Sequence, residues 1–199
     1  MKRLGFNIVL LGMIASGKDT QAKILKEKYS LKSIESGIYW RRLLKEKSKD
    51  GDWVRRTTGQ GKPAPVALMK KFLVNQIAKK PKNKDLLFLG NPRLKPEAQL
   101  LKKILKEKKQ DFLAIYVSLP DKEVYKRCLK RVSGNMKKDY KIFDNKKQIA
   151  IRIAWHKNQV GKTVKYFRSL NRLETVNGAQ TIPNVTKDIL KSISSFNPK

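Results

Sequence analysis

The chain has 199 residues, 47 Lys and Arg against 16 Asp and Glu, and a formal net charge of +31. That length suits one domain whose core buries most of its apolar surface, and no run of about 18 apolar residues is present to span a membrane. The lone cysteine, Cys128, excludes a disulfide framework and a multi-cysteine zinc site and suits a reducing cytoplasm. In chain order, FNIVLLG (6–12) is a continuous apolar run closed by Gly12, as a strand buried on both faces requires. It is too short for the apolar part of a secretion signal, so it reads as a first strand. Ala22, Leu25 and Tyr29 recur at helical spacing over 18–29. LKSI (31–34) is a short second strand, GIYWRRLLKEK opens a helix, and KDGD (49–52) is expected to end it. Pro65 opens an amphipathic helix over 65–80. LLFLG (86–90) is again a buried-strand run, followed by a helix over 96–109 and a strand over 112–120. Asp121 is placed to cap a helix over 121–132. A basic loop over 132–143 precedes a long helix over 144–170, with a kink expected near Gly161. A last strand (173–176), an NGAQ turn and a closing helix finish the chain.

Strands separated by single helices predict a parallel α/β sheet of about five strands with helices on both faces. Such sheets bind ligands beyond the carboxyl ends of their strands. The positive charge draws in nucleotides and, non-specifically, nucleic acid. The excess is mostly Lys, however, dispersed over KILKEK, RRLLKEK and LLKKILKEKK. Focused nucleic-acid sites favour Arg and aromatic residues, so a solvated basic surface is the simpler reading.

Gly12-Met13-Ile14-Ala15-Ser16-Gly17-Lys18 follows the first strand and opens a helix, which is the context a phosphate-binding loop needs. Glycines permit the curl, backbone N–H groups and the helix N-terminus face the anion, and Lys18 can reach the terminal phosphates of a nucleoside triphosphate. Asp19 is unusual, because many such loops carry Ser or Thr there.

From GKDTQA onward the chain resembles the adenylate kinase family of nucleoside monophosphate kinases. GMIASGKDTQA (12–22) is similar to the family's GxPGSGKGTQA, SGIYWR (36–41) to TGDMLR, and GKPAPVAL (61–68) to GKLVPDEL. LGNPRLKPEAQ (89–99) resembles DGFPRTIPQAE, SLPDKEVYKRCLKR (118–131) resembles VPDELIVDRIVGR, and DNKKQIAIRI (144–153) resembles DNEETIKKRL. VNGAQTIPNV (176–185) resembles the closing INGDQSIEEV. The likeness implies a P-loop NTPase fold with a core of 1–35, 81–131 and 144–199. It also implies an inserted helical monophosphate-binding arm (36–80) and a short lid (132–143).

By this resemblance Gly12, Ala15, Ser16, Gly17, Lys18, Asp19 and Thr20 bind the phosphates of ATP, and Gln180 lies by its base. Ser36, Gly37, Arg41, Lys62, Pro63, Ala64, Gly90, Asn91, Pro92, Arg93 and Glu97 line the acceptor site. Arg127, Arg131 and Arg152, with Lys141 of the lid, neutralise the phosphoryl in flight. The chemistry agrees: phosphoryl transfer between two nucleotides brings many negative charges together and needs permanent bidentate cations. Arg41, Arg93, Arg127, Arg131 and Arg152 are nearly half of the arginines in a chain that otherwise chooses Lys. His156 and Trp155 read as packing or surface groups.

Leu89 stands where the family has an Asp that helps hold hydrated Mg²⁺, and Ile38, Lys141 and Phe143 also depart from its pattern. Asp19 could take over part of the metal role, directly or through water, since Mg²⁺ favours carboxylate and water oxygens; a carboxylate is also favourable at a helix start in its own right. Glu97 replaces a Gln, which alters what base it can read, because a carboxylate only accepts. The expected activity is reversible phosphoryl transfer from Mg-ATP to a nucleoside monophosphate, AMP first, by a cytoplasmic monomer. Two alternatives remain: a protein whose catalysis has decayed and whose basic surface binds RNA, and a kinase for another small acceptor.

Overall fold

β1 (Asn7–Gly12) sends Ile8 and Leu10 to one side and Val9 and Leu11 to the other, and all four are buried. Strand side chains alternate faces, so this run needs cover on both. The computed structural model describes residues 1–57, 64–133 and 146–198. β1 is followed by α1 (Lys18–Lys28), β2 (Leu31–Ile34), α2 (Ser36–Leu43), α3 (Lys49–Arg56), α4 (Val66–Ala78) and β3 (Asp85–Leu89). Then come α5 (Lys95–Glu107), β4 (Phe112–Ser118), α6 (Asp121–Ser133) and α7 (Lys146–Trp155). A π-helical turn (His156–Val160), α8 (Gly161–Ser169), β5 (Leu173–Asn177) and α9 (Ile182–Ser194) complete the described elements.

The five strands form one parallel sheet in the order β2-β3-β1-β4-β5. On one face Val9, Leu11, Phe88 and Ala114 pack under Trp40, Phe72, Leu101 and Phe167. On the other, Ile8, Leu10, Leu87 and Ile115 pack under Leu25, Val185 and Ile189. This is the P-loop NTPase α/β fold. A third cluster joins Met13 of the loop after β1 to Val124 and Cys128 of α6 and Ile149 and Ile153 of α7. Cys128 is thus a small buried hydrophobe of α6.

Two helix expectations need correction. KDGD does not end a helix; it starts α3. Ser48 caps it, its side chain accepting from the Gly51 N–H at 3.1 Å, and Asp50 and Asp52 sit in the first turn, where the helix dipole favours them. Gly51 is demanded by packing, since a Cβ there would meet the Leu43 carbonyl at 2.8 Å. The long helix after 144 is also not continuous α-helix: a π turn over His156–Val160 interrupts it next to Gly161, near where the sequence places a kink. Asp121 is the first residue of α6 and its carboxylate accepts from Lys157 at 2.6 Å.

Candidate active site

The sheet order puts β1 beside β3 at its centre, with connections leaving in opposite directions: β1 leads toward β2 and β3 leads to β4. A crevice opens at such a switch point, and two loops meet over it. The loop after β1 curls through Ala15 at φ 59° and Gly17 at φ 85° before α1 begins. Gly12 must lack a side chain, because a Cβ would lie 2.5 Å from Ser16 Oγ and 2.9 Å from the Val117 carbonyl. Ser16 Oγ is buried with no hydrogen-bond partner. A third loop, after β5, presses on this one: a Cβ at Gly178 would meet Val117 Cγ1 at 2.7 Å, the Ser118 carbonyl at 2.8 Å and the Ser16 carbonyl at 3.2 Å.

From β3, Gly90 donates its N–H to the Leu10 carbonyl at 3.0 Å and takes φ 66°. That φ favours glycine, and Lys18 packs beside it, its Cε 3.6 Å from where a Cβ would stand, an ordinary contact distance. Arg93 Nε donates to the Gly90 carbonyl at 2.9 Å. Lys18 and Arg93 therefore approach one glycine from opposite loops. Asn91 is buried and donates from Nδ2 to the Ile34 carbonyl (3.0 Å) and the Leu89 carbonyl (3.2 Å), tying the ends of β2 and β3 together. Pro92, also buried, follows it through a cis bond. Asp19 points outward, with its side chain 77% exposed and 3.5 Å from Lys18 Nζ. Thr20, exposed, sits in the same first turn of α1. Among the described residues no group of three or more His, Cys, Asp and Glu side chains could hold a metal.

The cleft is strongly cationic. The Arg93 guanidinium reaches water from the cleft floor but is crowded by protein, and its pKa is lowered first by that desolvation and then by Arg152, against Glu97 and Asp19. It stays charged, because a guanidinium starts so high. Arg127 Nη1 donates to the Ala15 carbonyl at 3.4 Å, and its Nε lies 3.8 Å from Glu123. Arg131 lies on α6, with its side chain outside the described ones.

Ser36 and Gly37 open α2. Arg41 folds back toward them, its Nη1 lying 3.4 Å from where a Gly37 Cβ would be. Its neighbour Arg42 is engaged elsewhere, 3.1 Å from Glu46 and over the Tyr39 ring at 5.2 Å. Among the described residues no ion pair holds Arg41. The geometry thus separates two arginines that the sequence leaves side by side. Ala64 is buried in the cluster that holds Trp40, Val54 and Phe72, while Lys62, Pro63, Lys141 and nearly all of the expected lid at 132–143 lie outside the described residues.

Glu97 differs from what its sequence position suggests. Its Oε2 accepts from the N–H groups of Arg93 (2.8 Å) and Leu94 (3.2 Å), capping α5. It is buried, and that desolvation raises its pKa above the ordinary carboxylate value. Only Oε1 is left uncommitted by this cap. Gln180 donates from Nε2 to Asp188 at 2.7 Å and to the Asn177 carbonyl at 3.2 Å, so its side chain braces the loop after β5.

One residue went unread in the sequence. Thr163, fully buried, donates from Oγ1 to the Arg93 carbonyl at 2.9 Å, so α8 buttresses the loop after β3. His156 is buried, as a packing role requires, and its Nε2 lies 3.5 Å from Tyr116 Oη. Burial first, and then the charges of Lys18 and Arg93, push its pKa down to about 4. No spacing rule marks either residue, because both act across the fold.

The model of the adenylate kinase family matches residues 10–172, from the middle of β1 to just past α8. The chain belongs to the adenylate kinase family. It is 31% identical over 191 residues to an adenylate kinase of Azobacteroides pseudotrichonymphae genomovar. CFP2, spanning 96% of this chain and 98% of that protein. It is 29% identical over 191 residues to an adenylate kinase of Bacteroides fragilis, spanning 96% of this chain and 99% of that protein. An adenylate kinase of Methanothrix thermoacetophila is 27% identical over 213 aligned residues. Membership makes the chain a phosphotransferase of the nucleoside monophosphate kinase class. No helix among the described residues is long and apolar enough to cross a membrane.

Proposed function

We propose that this adenylate kinase family member moves the terminal phosphoryl group of Mg-ATP reversibly onto AMP, as a monomer in the cytoplasm. The observation that carries the reading is the meeting of Lys18 and Arg93 at Gly90, at the sheet's switch point. An oxygen of the acceptor phosphate attacks the terminal phosphorus, the bond to the bridging oxygen breaks, and two diphosphates result. Both reactants are anions, so the work lies in holding them together and balancing charge. Lys18 and the loop amides face the donor, and Arg41 and Arg93 face the acceptor. Arg127, Arg131 and Arg152 meet the group in transit, with Lys141 as a further cation. Mg²⁺ supplies further charge neutralisation on the donor's oxygens. The exposed Asp19 carboxylate beside Lys18 suits an ion that keeps several waters and takes one or two carboxylates. The orphaned Ser16 Oγ is a second polar atom at the same loop.

AMP is the first acceptor by family likeness; Oε1 of Glu97, which the cap leaves uncommitted, accepts from an exocyclic amino group of the kind that adenine, cytosine and guanine all carry, so GMP and CMP are the acceptors to compare with it. The test is turnover with ATP, Mg²⁺ and each monophosphate in turn, following diphosphate. Production from AMP well above a Lys18→Ala control is expected. Intact ATP binding with no diphosphate from any acceptor would refute the reading and leave a decayed enzyme.

A further inference from the structure

The end of the sheet opposite the cleft carries its own charge pattern. Four chain segments are stitched together there. Ser30 N–H donates to the Lys2 carbonyl at 3.0 Å, Ser30 Oγ donates to the Asn83 carbonyl at 2.8 Å, and Asp85 N–H donates to the Ser30 carbonyl at 2.9 Å. Asn7 then links Leu86, whose N–H donates to its Oδ1 at 2.9 Å, to the Asp111 carbonyl, which accepts its own N–H at 2.9 Å. The turns before β2, β3 and β4 thus form one continuous surface.

That surface is lysine-rich. Lys79, Lys82 and Lys84 project from the turn before β3, and Lys108 and Lys109 from the turn before β4; all are exposed. Lys26 and Lys28 at the end of α1 add to them. Among the described residues none of these lysines is in an ion pair. The nearby buried carboxylates are already engaged: Asp85 by Arg3 at 2.9 Å and by the N–H groups of Leu4 and Gly5, and Asp111 by Arg172 at 3.0 Å. No Asp or Glu occurs between Asp52 and Asp85.

Helix C-termini favour cations, which accounts for lysines in a last turn. It accounts for Lys26 and Lys28 in the last turn of α1 and for Lys79 and Lys108, the C-caps of α4 and α5, but not for Lys82 and Lys84, which lie beyond α4. Clustered like charges repel unless a polyanion lies over them. Met1, next to Lys2, is an exposed apolar side chain at this edge, while most of the others sit elsewhere, among them Ile38, Trp53 and Val66 on α2, α3 and α4, Leu129 and Ile151 on α6 and α7, and Ile182 on α9. A membrane-surface site would place such groups beside the cations.

We propose that this lysine edge is a docking surface for the phosphate backbone of RNA, separate from the nucleotide cleft and compatible with turnover. Contacts of this kind are sequence-independent and salt-sensitive. The experiment compares full-length protein, a K79Q/K82Q/K84Q/K108Q variant and a K23Q/K162Q/K165Q/K187Q control, whose lysines project from helix surfaces. A short labelled single-stranded RNA of mixed sequence is titrated by fluorescence anisotropy over a salt series, with and without saturating Mg-ATP, and phosphatidylserine-containing vesicles are titrated in parallel. The edge variant should weaken RNA binding more than tenfold at about 0.1 M salt and flatten the log–log salt slope by about 2–3. Its turnover should match the parent's, and Mg-ATP should not displace the RNA. Equal weakening by the control set would overturn the proposal in favour of diffuse charge. Displacement by Mg-ATP, absence of RNA binding, or vesicle binding in its place would each also overturn it.

Discussion

Protonating His156 should destabilise this fold, and the effect can be sized. In the unfolded chain the imidazole has its ordinary pKa of 6.5, and in the folded protein burial and the nearby Lys18 and Arg93 charges hold it at about 4. The folded-state pKa is depressed, so the unfolded chain binds more protons between these values. Stability is full above pH 6.5 and falls as the pH drops toward 4. Linkage over that interval gives a loss of about 2 kcal/mol between pH 7 and pH 5 from this one group. Other groups titrate too, so the quantity to read is a difference. His156→Phe keeps an aromatic ring against Tyr116, whose ring centroid is 6.1 Å away, and removes the titration. Urea unfolding of both proteins at pH 7, 6 and 5, at one ionic strength, should show the parent losing about 2 kcal/mol more than the variant. Parallel losses would refute the reasoning and mean that His156 takes up its proton in the folded state without penalty.

Gly178→Ala should cost about 1–3 kcal/mol, because the added methyl meets two backbone carbonyls that cannot swing aside; thermal melts measure this, and ATP affinity should fall with it. Arg41→Ala should raise the KM for the monophosphate tenfold or more while Arg42→Ala leaves it within about twofold, as steady-state kinetics would show; equal effects would remove the distinction drawn between them. Asp85→Asn should destabilise by about 2–4 kcal/mol, since it removes charge from a buried carboxylate bonded to Arg3 and two backbone N–H groups; denaturant unfolding would register it. Asp19→Gly should shift the Mg²⁺ dependence of turnover to higher concentration, and an unchanged profile would leave Asp19 as a residue of the helix start. Glu97→Gln should change the preference among acceptor bases, with the ratios of kcat/KM as readout.

Most of the sheet was legible because parallel strands are punctuated by strong local signals. Apolar runs such as NIVLL and LLFL have no half-exposed solution, and the glycines ending them mark where backbone must come close. The loop after β1 is likewise written in consecutive residues. What escaped is what depends on contacts distant in sequence. KDGD contains a glycine and two carboxylates, all turn-like by composition, yet the tight approach of α3 to the end of α2 makes that glycine a packing residue. Glu97 was read for a base because the capping box it completes depends on how the loop after β3 enters α5. Thr163 and Arg93 are 70 positions apart, and nothing local announces their hydrogen bond.

The π turn at His156–Val160 also carries a consequence of reading frame. A π turn holds one more residue than the α-helical turn it replaces, and one residue in a helix is about 100° of rotation. Everything downstream on α8 is therefore phased by that extra residue. Excising one residue from this turn would let α-helix run through, and it would swing Thr163 off the Arg93 carbonyl and Phe167 out of the core together. Chain length here sets direction, so α8 should tolerate substitution on its outer face far better than a single-residue deletion ahead of it.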